Sequence, residues 1–138
     1  MTKKAQEIAP FRLIEWCAQW QEKKDLAKIP VGARGVYALH DKKSDHYDVM
    51  YVGMSASGQG IKRRIRSHSK STRKGPKWTH FSIFVVWKNI REEEIRELEA
   101  LLREIYRKDS TANRLAKQKG SEKLRKIRYQ DPNDWRTL

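Results

Sequence analysis

Two periods of apolar positions alternate along the chain. From residue 7 to 29, Phe11, Leu13, Ile14, Trp16, Cys17 and Trp20 recur at helical spacing, and Pro10 suits a first turn. Ile29-Pro30 marks the end of that segment, because the residue before a proline disfavours the helical region. The spacing predicts an amphipathic N-terminal helix lying on one face of the core. Gly32-Ala33-Arg34-Gly35 reads as a turn. Val36 to His40 and Asp48 to Val52 then read as strands, and the polar stretch Asp41-Lys42-Lys43-Ser44-Asp45 closes them into an antiparallel hairpin.

Beyond the hairpin, Met54 to Gly60 is a Gly/Ser loop and Ile61 to Lys70 a basic helix. Ser71 to Lys77 is a second polar loop. His80 to Trp87, rich in β-branched and aromatic residues, is a third strand. Asn89 is a candidate cap for a helix over Ile90 to Arg107, whose core stripe is Ile95, Leu98, Leu102 and Ile105. After Asp109 the chain turns polar and basic, with a short helix expected over Ser121 to Tyr129 and a turn at Asp131-Pro132-Asn133-Asp134. The expected class is α+β: a three-stranded antiparallel sheet flanked by helices, with an added N-terminal helix. The 138 residues suit one domain, divided into an extension (1–30), a core (31–115) and a basic tail (116–138).

Composition changes this picture in one respect. Hydrophobic residues are 38% of the chain and charged residues 35%, so five Trp, five Tyr and three Phe must supply much of the core. Charge matters more. Thirty-one Lys and Arg against 17 acids give +14, which gathers polyanions around a molecule of this size, nucleic acid first among them. The basic residues are spread along the chain, and no apolar run reaches the ~20 residues of a membrane span, so a membrane role is not expected. A single cysteine, Cys17, and no apolar signal core after Met1-Thr2-Lys3-Lys4 lead to the expectation of a cytoplasmic protein.

Three groups of residues carry candidate chemistry. Gly35-Val36-Tyr37 and Tyr51-Val52-Gly53 sit on the paired strands. Either triplet alone is what strands and their glycine ends ordinarily look like. In Ile61-Lys62-Arg63-Arg64-Ile65-Arg66-Ser67-His68, Arg64 and His68 share a helix face near Ile61 and Ile65, which sets them where the helix meets the sheet. Lys62, Arg63 and Arg66 are adequately read as a solvated basic face touching phosphates. On the later helix, Glu92-Glu93-Glu94 complements the positive helix N-terminus, and Glu97 and Glu104 point away from the core stripe. Glu99 lies on the shoulder of that stripe, where a carboxylate loses hydration and needs a metal or a cation. An exposed ion pair with Arg96 or Arg103 is the equally weighted plain alternative.

Taken together, the ordered set of Gly-Val-Tyr, Tyr-Val-Gly, an Arg with a His four residues on, a later helical Glu and then Asn113 resembles the GIY-YIG nuclease superfamily, over roughly Val31 to Asn113. The resemblance implies a metal-dependent endonuclease that hydrolyses phosphodiester bonds, in DNA more than in RNA, with Mg²⁺ or Mn²⁺ as cofactor. It implies that Tyr37 activates or positions the attacking water, Tyr51 contacts the reacting phosphate, Arg64 neutralises phosphate charge, His68 assists proton transfer and Glu99 is the sole metal-binding carboxylate. Gly53, Lys62, Arg63, Arg66, Lys70 and Asn113 are the accompanying candidate nucleic-acid contacts.

Those roles make physical sense. One Glu with waters and phosphate oxygens can hold Mg²⁺, and arginine offers a fork that matches phosphate oxygens. A tyrosine is a poor base unless neighbouring cations lower its pKa, and the basic surroundings lead to that expectation. Two readings from other classes compete. One is a non-catalytic nucleic-acid-binding module on the same scaffold, using Trp78 and Trp135 as exposed stacking surfaces. The other is a basic protein docked on a larger acidic or RNA-containing assembly. Metal-dependent cleavage separates the first reading from both.

Overall fold

The structure, a computed structural model, describes residues 12–71 and 77–107; for Arg107 it describes the backbone alone. In chain order the elements are β1 (Ile14–Glu22), a 3-10 turn (Lys23–Lys28), β2 (Gly35–Lys42), β3 (Tyr47–Ser55), α1 (Gly60–Lys70), β4 (His80–Val86) and α2 (Glu92–Arg107). The class is α+β. Its four-stranded sheet is antiparallel throughout, in the order β1-β4-β2-β3.

The N-terminal helix expected from the sequence is instead strand β1, followed by the 3-10 turn. The tertiary partner decided this. β4 offers a free edge of backbone donors and acceptors, and β1 satisfies it from Ile14↔Val86 to Glu22↔His80. Two register irregularities, between Ile14 and Trp16 and between Ala18 and Gln21, break the period of two. The apolar residues that remain fall at spacings that imitate a helix. Trp16 and Trp20, which a helix would have turned toward the core, are 37% and 49% exposed.

The other elements lie close to their expected positions. The hairpin is longer than its apolar pattern, because Asp41 and Lys42 pair with Asp48 and Tyr47. Helix α2 starts at Glu92, and its first turn is closed from within: Arg91 N–H donates to the Glu94 carboxylate at 2.7 Å. The role expected of Asn89 is thus taken by a Glu at the third helical position. The short helix expected at Ser121–Tyr129 and the basic tail lie outside the described residues.

Alternation along the strands divides the core between two faces. Tyr37, Leu39, Phe81, Ile83 and Val85 face α1, packing on Ile61, Ile65 and Trp78. Val36 and Val86 face α2, packing on Ile95 and Ile90 with Leu98 and Leu102 alongside. Trp78, expected to be an exposed stacking surface, is 2% exposed, with the Lys23 ammonium 4.3 Å above its ring. A polar loop neighbourhood suggested exposure, but an indole is the largest apolar group available to a core short of aliphatic residues. Among the described residues no helix is long and apolar enough to cross a membrane.

Candidate active site

The site is built where β2, β3 and α1 meet, beside α2. Tyr37, near the middle of β2, faces α1. Simple alternation along β3 would not bring Tyr51 to the same face as Tyr37, since Tyr47 and Val49 face the α2 side. A bulge resolves this. Leu39 pairs with Tyr51 while the next residue, His40, pairs with Val49, so Met50 is the extra residue. That single insertion reverses the phase of β3 and turns Tyr51 toward Tyr37, as bulges do when they re-aim a side chain. The two rings lie 6.3 Å apart.

Helix α1 brings the histidine. Ile61 and Ile65, fully buried, fix the helix on the sheet, and His68 is carried on the same side. His68 Nε2 is 2.8 Å from the Tyr37 hydroxyl, and its ring is 4.5 Å from that of Tyr51. The hydrogen bond is bounded from below by Gly53, which pairs with Tyr37 across the hairpin. A Cβ at Gly53 would lie 2.5 Å from the Tyr37 hydroxyl and 2.6 Å from Cζ. Gly53, read from the sequence as a nucleic-acid contact, is thus the floor on which the phenol rests. Gly35 has its own reason to be glycine: φ is +151°, and a Cβ there would collide with the Phe84 carbonyl.

Charge around the cluster comes from two helices. Arg64 on α1 is exposed, and its field favours the ionised forms of Tyr37, Tyr51 and Glu99. Glu99 on α2 has a side chain only 14% exposed, and accepts a hydrogen bond from Arg103 Nη1 at 3.2 Å. Arg96 pairs with Glu92 instead. The plain alternative for Glu99 is therefore realised in part, but as a half-buried pair rather than an exposed one. Burial lifts the Glu99 carboxyl above the ordinary glutamate value, and Arg103, Arg96 and Arg64 only partly oppose that rise. Arg103 was not singled out from the sequence; its position four residues after Glu99 was the available signal.

The tyrosines behave opposite to expectation. Burial, the Tyr51 phenol and the Glu99 charge together push the Tyr37 hydroxyl far above its ordinary value, with Arg64 opposing. Tyr51 is raised as well, by burial first and then by Glu99. Net charge alone led to the expectation of a lowered pKa, but desolvation dominates for a residue 2% exposed. Tyr37 therefore stays protonated, and its hydroxyl can donate to His68 Nε2 in the tautomer that carries the ring proton on Nδ1.

Both helices are anchored by a residue the sequence reading placed in a turn. Arg34 donates from Nε to the Ala56 carbonyl at 3.1 Å and from Nη2 to the Ile90 carbonyl at 2.7 Å. It joins the segment leading into α1 to the one leading into α2, which holds the two halves of the cluster in relation. On the outer face of α1, Lys62, Arg63, Arg66 and Lys70 line one groove with Gln59 and Ser67. Lys62 Nζ also donates to the Ala27 carbonyl at 2.9 Å, tying the 3-10 turn to the helix. Asn113 lies outside the described residues.

As a metal site the arrangement is spare. Among the described residues no three His, Cys, Asp or Glu side chains form a ligand cluster. A cation at Glu99 would have one protein carboxylate, with water and phosphate oxygens completing its shell, the pattern that suits Mg²⁺. A half-buried carboxylate whose ionisation is disfavoured gains from such a cation. Of the described side chains, Tyr37, Tyr51, Arg64, His68 and Glu99 gather around one another, whereas the Lys62–Lys70 groove lies on the outward side of α1. No protein-family model, curated protein or solved structure matches this chain.

Proposed function

We propose that this chain is a metal-dependent endonuclease of the GIY-YIG type, hydrolysing phosphodiester bonds in DNA in preference to RNA. The observation that carries the reading is the Tyr37–His68 hydrogen bond, packed beside Tyr51 and within the fields of Arg64 and Glu99. A structural core has no use for a phenol–imidazole pair next to a carboxylate whose charge is disfavoured, and catalytic sites are where such pairs collect.

In this reading Tyr37 does not act as a phenolate. Water attacks phosphorus while giving a proton to the Tyr37 oxygen, and Tyr37 passes its own proton to His68 Nε2 along the existing 2.8 Å bond. The relay ends with neutral tyrosine and imidazolium, so the high Tyr37 pKa is no obstacle. Arg64 neutralises the charge that builds on the phosphate oxygens, and the Tyr51 hydroxyl holds one of them. Arg103, which donates to the Glu99 carboxylate at 3.2 Å, would lend a second positive charge beside the phosphate. That cation, Mg²⁺ or Mn²⁺ held by Glu99, would supply Lewis-acid polarisation of the phosphate and stabilise the leaving oxygen. The groove of Lys62, Arg63, Arg66 and Lys70 would carry the backbone of the bound strand.

The binding-module alternative has one fewer support, since Trp78 is buried. The test is direct. Purified protein is incubated with supercoiled, linear and single-stranded DNA and with RNA, with Mg²⁺, with Mn²⁺ and with chelator. Cation-dependent nicking supports the nuclease reading; binding with no cleavage under any condition overturns it.

A further inference from the structure

A second concave feature lies on the opposite face of the sheet. It is a pocket of ≈ 440 Å³ between the strands and the C-terminal half of α2, lined largely by apolar groups, Leu101 and Tyr106 among them. Its volume falls within the range of small-molecule sites. Three observations set it apart from a packing defect.

One is a buried polar atom with nothing to bind. His40 lines the pocket and is 5% exposed, yet its Nδ1 has no hydrogen-bond partner among the described residues. Its other nitrogen is engaged: Nε2 lies 2.7 Å from Ser82 Oγ. Ser82 Oγ in turn accepts a hydrogen bond from the Trp20 backbone N–H at 3.0 Å. The buried Ser82 hydroxyl must place its own proton, and His40 Nε2 is the acceptor beside it. The ring proton of neutral His40 is therefore on Nδ1, which makes the unpaired atom a donor. A buried unsatisfied donor is unfavourable unless something completes it.

Another is strain. Trp20 alone among the described non-glycine residues has a positive φ, +56°, a conformation disfavoured for a bulky side chain. That backbone sets its indole at the pocket, stacked on Tyr47 with centroids 5.7 Å apart and planes at 28°, while 49% of the residue remains exposed. The positive φ falls inside the register irregularity between Ala18 and Gln21, and its result is an indole held half in water beside the pocket rather than within the core. The last is position. Leu98, Leu101 and Leu102 line the pocket from α2, and Glu99 stands on the flank of the same helix that meets the catalytic cluster. Tyr37 of the cluster also borders the pocket, so the two features adjoin across β2.

We propose that this pocket receives an unpaired nucleobase, stacked against Trp20 and hydrogen-bonded through a base carbonyl or ring nitrogen to His40 Nδ1. The proposal rests on the nucleic-acid reading above and names its substrate more narrowly: a strand that is single, frayed or able to extrude a base beside the cleaved phosphate. Base edges present the acceptors that His40 requires, and their faces stack on aromatic rings without regard to sequence.

The test uses the full chain with ¹⁵N-labelled histidine and tryptophan, titrated with thymidine, cytidine, adenosine and guanosine, and with deoxyribose as the control. Nucleosides are expected to shift the His40 ring and Trp20 indole signals, and deoxyribose to leave both unmoved. Trp20→Gly removes the indole and relieves the strained φ, so it should lower nucleoside affinity at least tenfold while the melting temperature holds or rises. Leu101→Trp, which fills the pocket from an exposed position, should also abolish the His40 shift. Unmoved His40 and Trp20 signals overturn the proposal. So do shifts that survive Leu101→Trp, equal binding of plain indole, or collapse of the fold in Trp20→Gly, which would make the tryptophan structural. The two readings fail separately. Nucleoside binding without cation-dependent cleavage removes only the nuclease, and cleavage without nucleoside binding removes only the pocket.

Discussion

Gly53→Ala is the sharpest probe of how the site is built. The added methyl would stand 2.5 Å from the Tyr37 hydroxyl and 2.6 Å from Cζ, whereas ordinary contact begins near 3.4 Å. The ring must therefore move by about 0.9 Å. Tyr37 and Gly53 are locked opposite each other in a paired hairpin, so the backbone cannot give way cheaply. The movement falls on the phenol, whose bond to His68 is 2.8 Å long and cannot absorb a displacement of that size. Overpacking of this kind destabilises by roughly 1–3 kcal/mol, a loss of several degrees in melting temperature for a protein of this length. Misplacing a reacting group by about 1 Å lowers the rate on the order of 100-fold. The two effects are read separately, by denaturant unfolding and by single-turnover cleavage in Mg²⁺ at a temperature where the variant is fully folded. The expected signature is a rate loss much larger than the stability loss. Because both changes act on one phenol, Tyr37→Phe/Gly53→Ala should cleave no more slowly than Tyr37→Phe alone. A folded Gly53→Ala protein that cleaves within about threefold of the parent would refute the argument that the phenol's position matters.

Further expectations follow from the same structure. Tyr37→Phe breaks the relay to His68 and Arg64→Ala removes phosphate neutralisation, so each should slow cleavage by roughly 100-fold or more in single-turnover assays. Of the two, only Arg64→Ala should also weaken binding. His40 is held down to about 4, from an ordinary 6.5, by burial and then by neighbouring His80. Its neutral form supports the fold, so stability is full above the unfolded value of 6.5 and is lost as pH falls toward 4. Chemical denaturation should show a loss of about 2 kcal/mol between about pH 7 and pH 5, absent from His40→Gln. Binding to DNA should weaken steeply between low and physiological salt, measured by fluorescence anisotropy, because +14 of charge displaces counterions from the phosphates.

The parts of the fold legible in the sequence are those whose pattern matched one period without interruption. Val36 to His40 is a short apolar run closed off by Gly35 and by polar residues from Asp41, and Ile61, Ile65, Ile95, Leu98 and Leu102 recur at helical spacing, so the hairpin and both helices could be read directly. Strand β1 was not legible, because its bulges break the alternation and its reason to be extended is the edge of β4, whose pairing partners run from Val86 opposite Ile14 to His80 opposite Glu22. The site divides along the same line. Arg64 and His68 share a helix face by arithmetic, and Glu99 stood out as a carboxylate on a core shoulder. That Tyr51 joins Tyr37 depends on one inserted residue, Met50, which no local pattern announces. The sign of the tyrosine shift depends on burial against charge, and only packing decides which wins. Glu104, read as pointing to solvent, is half-buried, whereas Glu97 is exposed as expected. Glu97→Gln is therefore the silent control on α2.

The most direct test of the central claim is the cleavage rate of Glu99→Gln beside the parent protein, on the same DNA, in Mg²⁺ and in chelator. The substitution keeps the size of the side chain and removes the charge that would hold the cation. Burial already disfavours that charge, so the variant should fold at least as well as the parent without metal. The account predicts DNA binding close to the parent's and a loss of Mg²⁺-dependent cleavage on the order of 1,000-fold or more. A Glu99→Gln protein that cleaves at the parent's rate would contradict it.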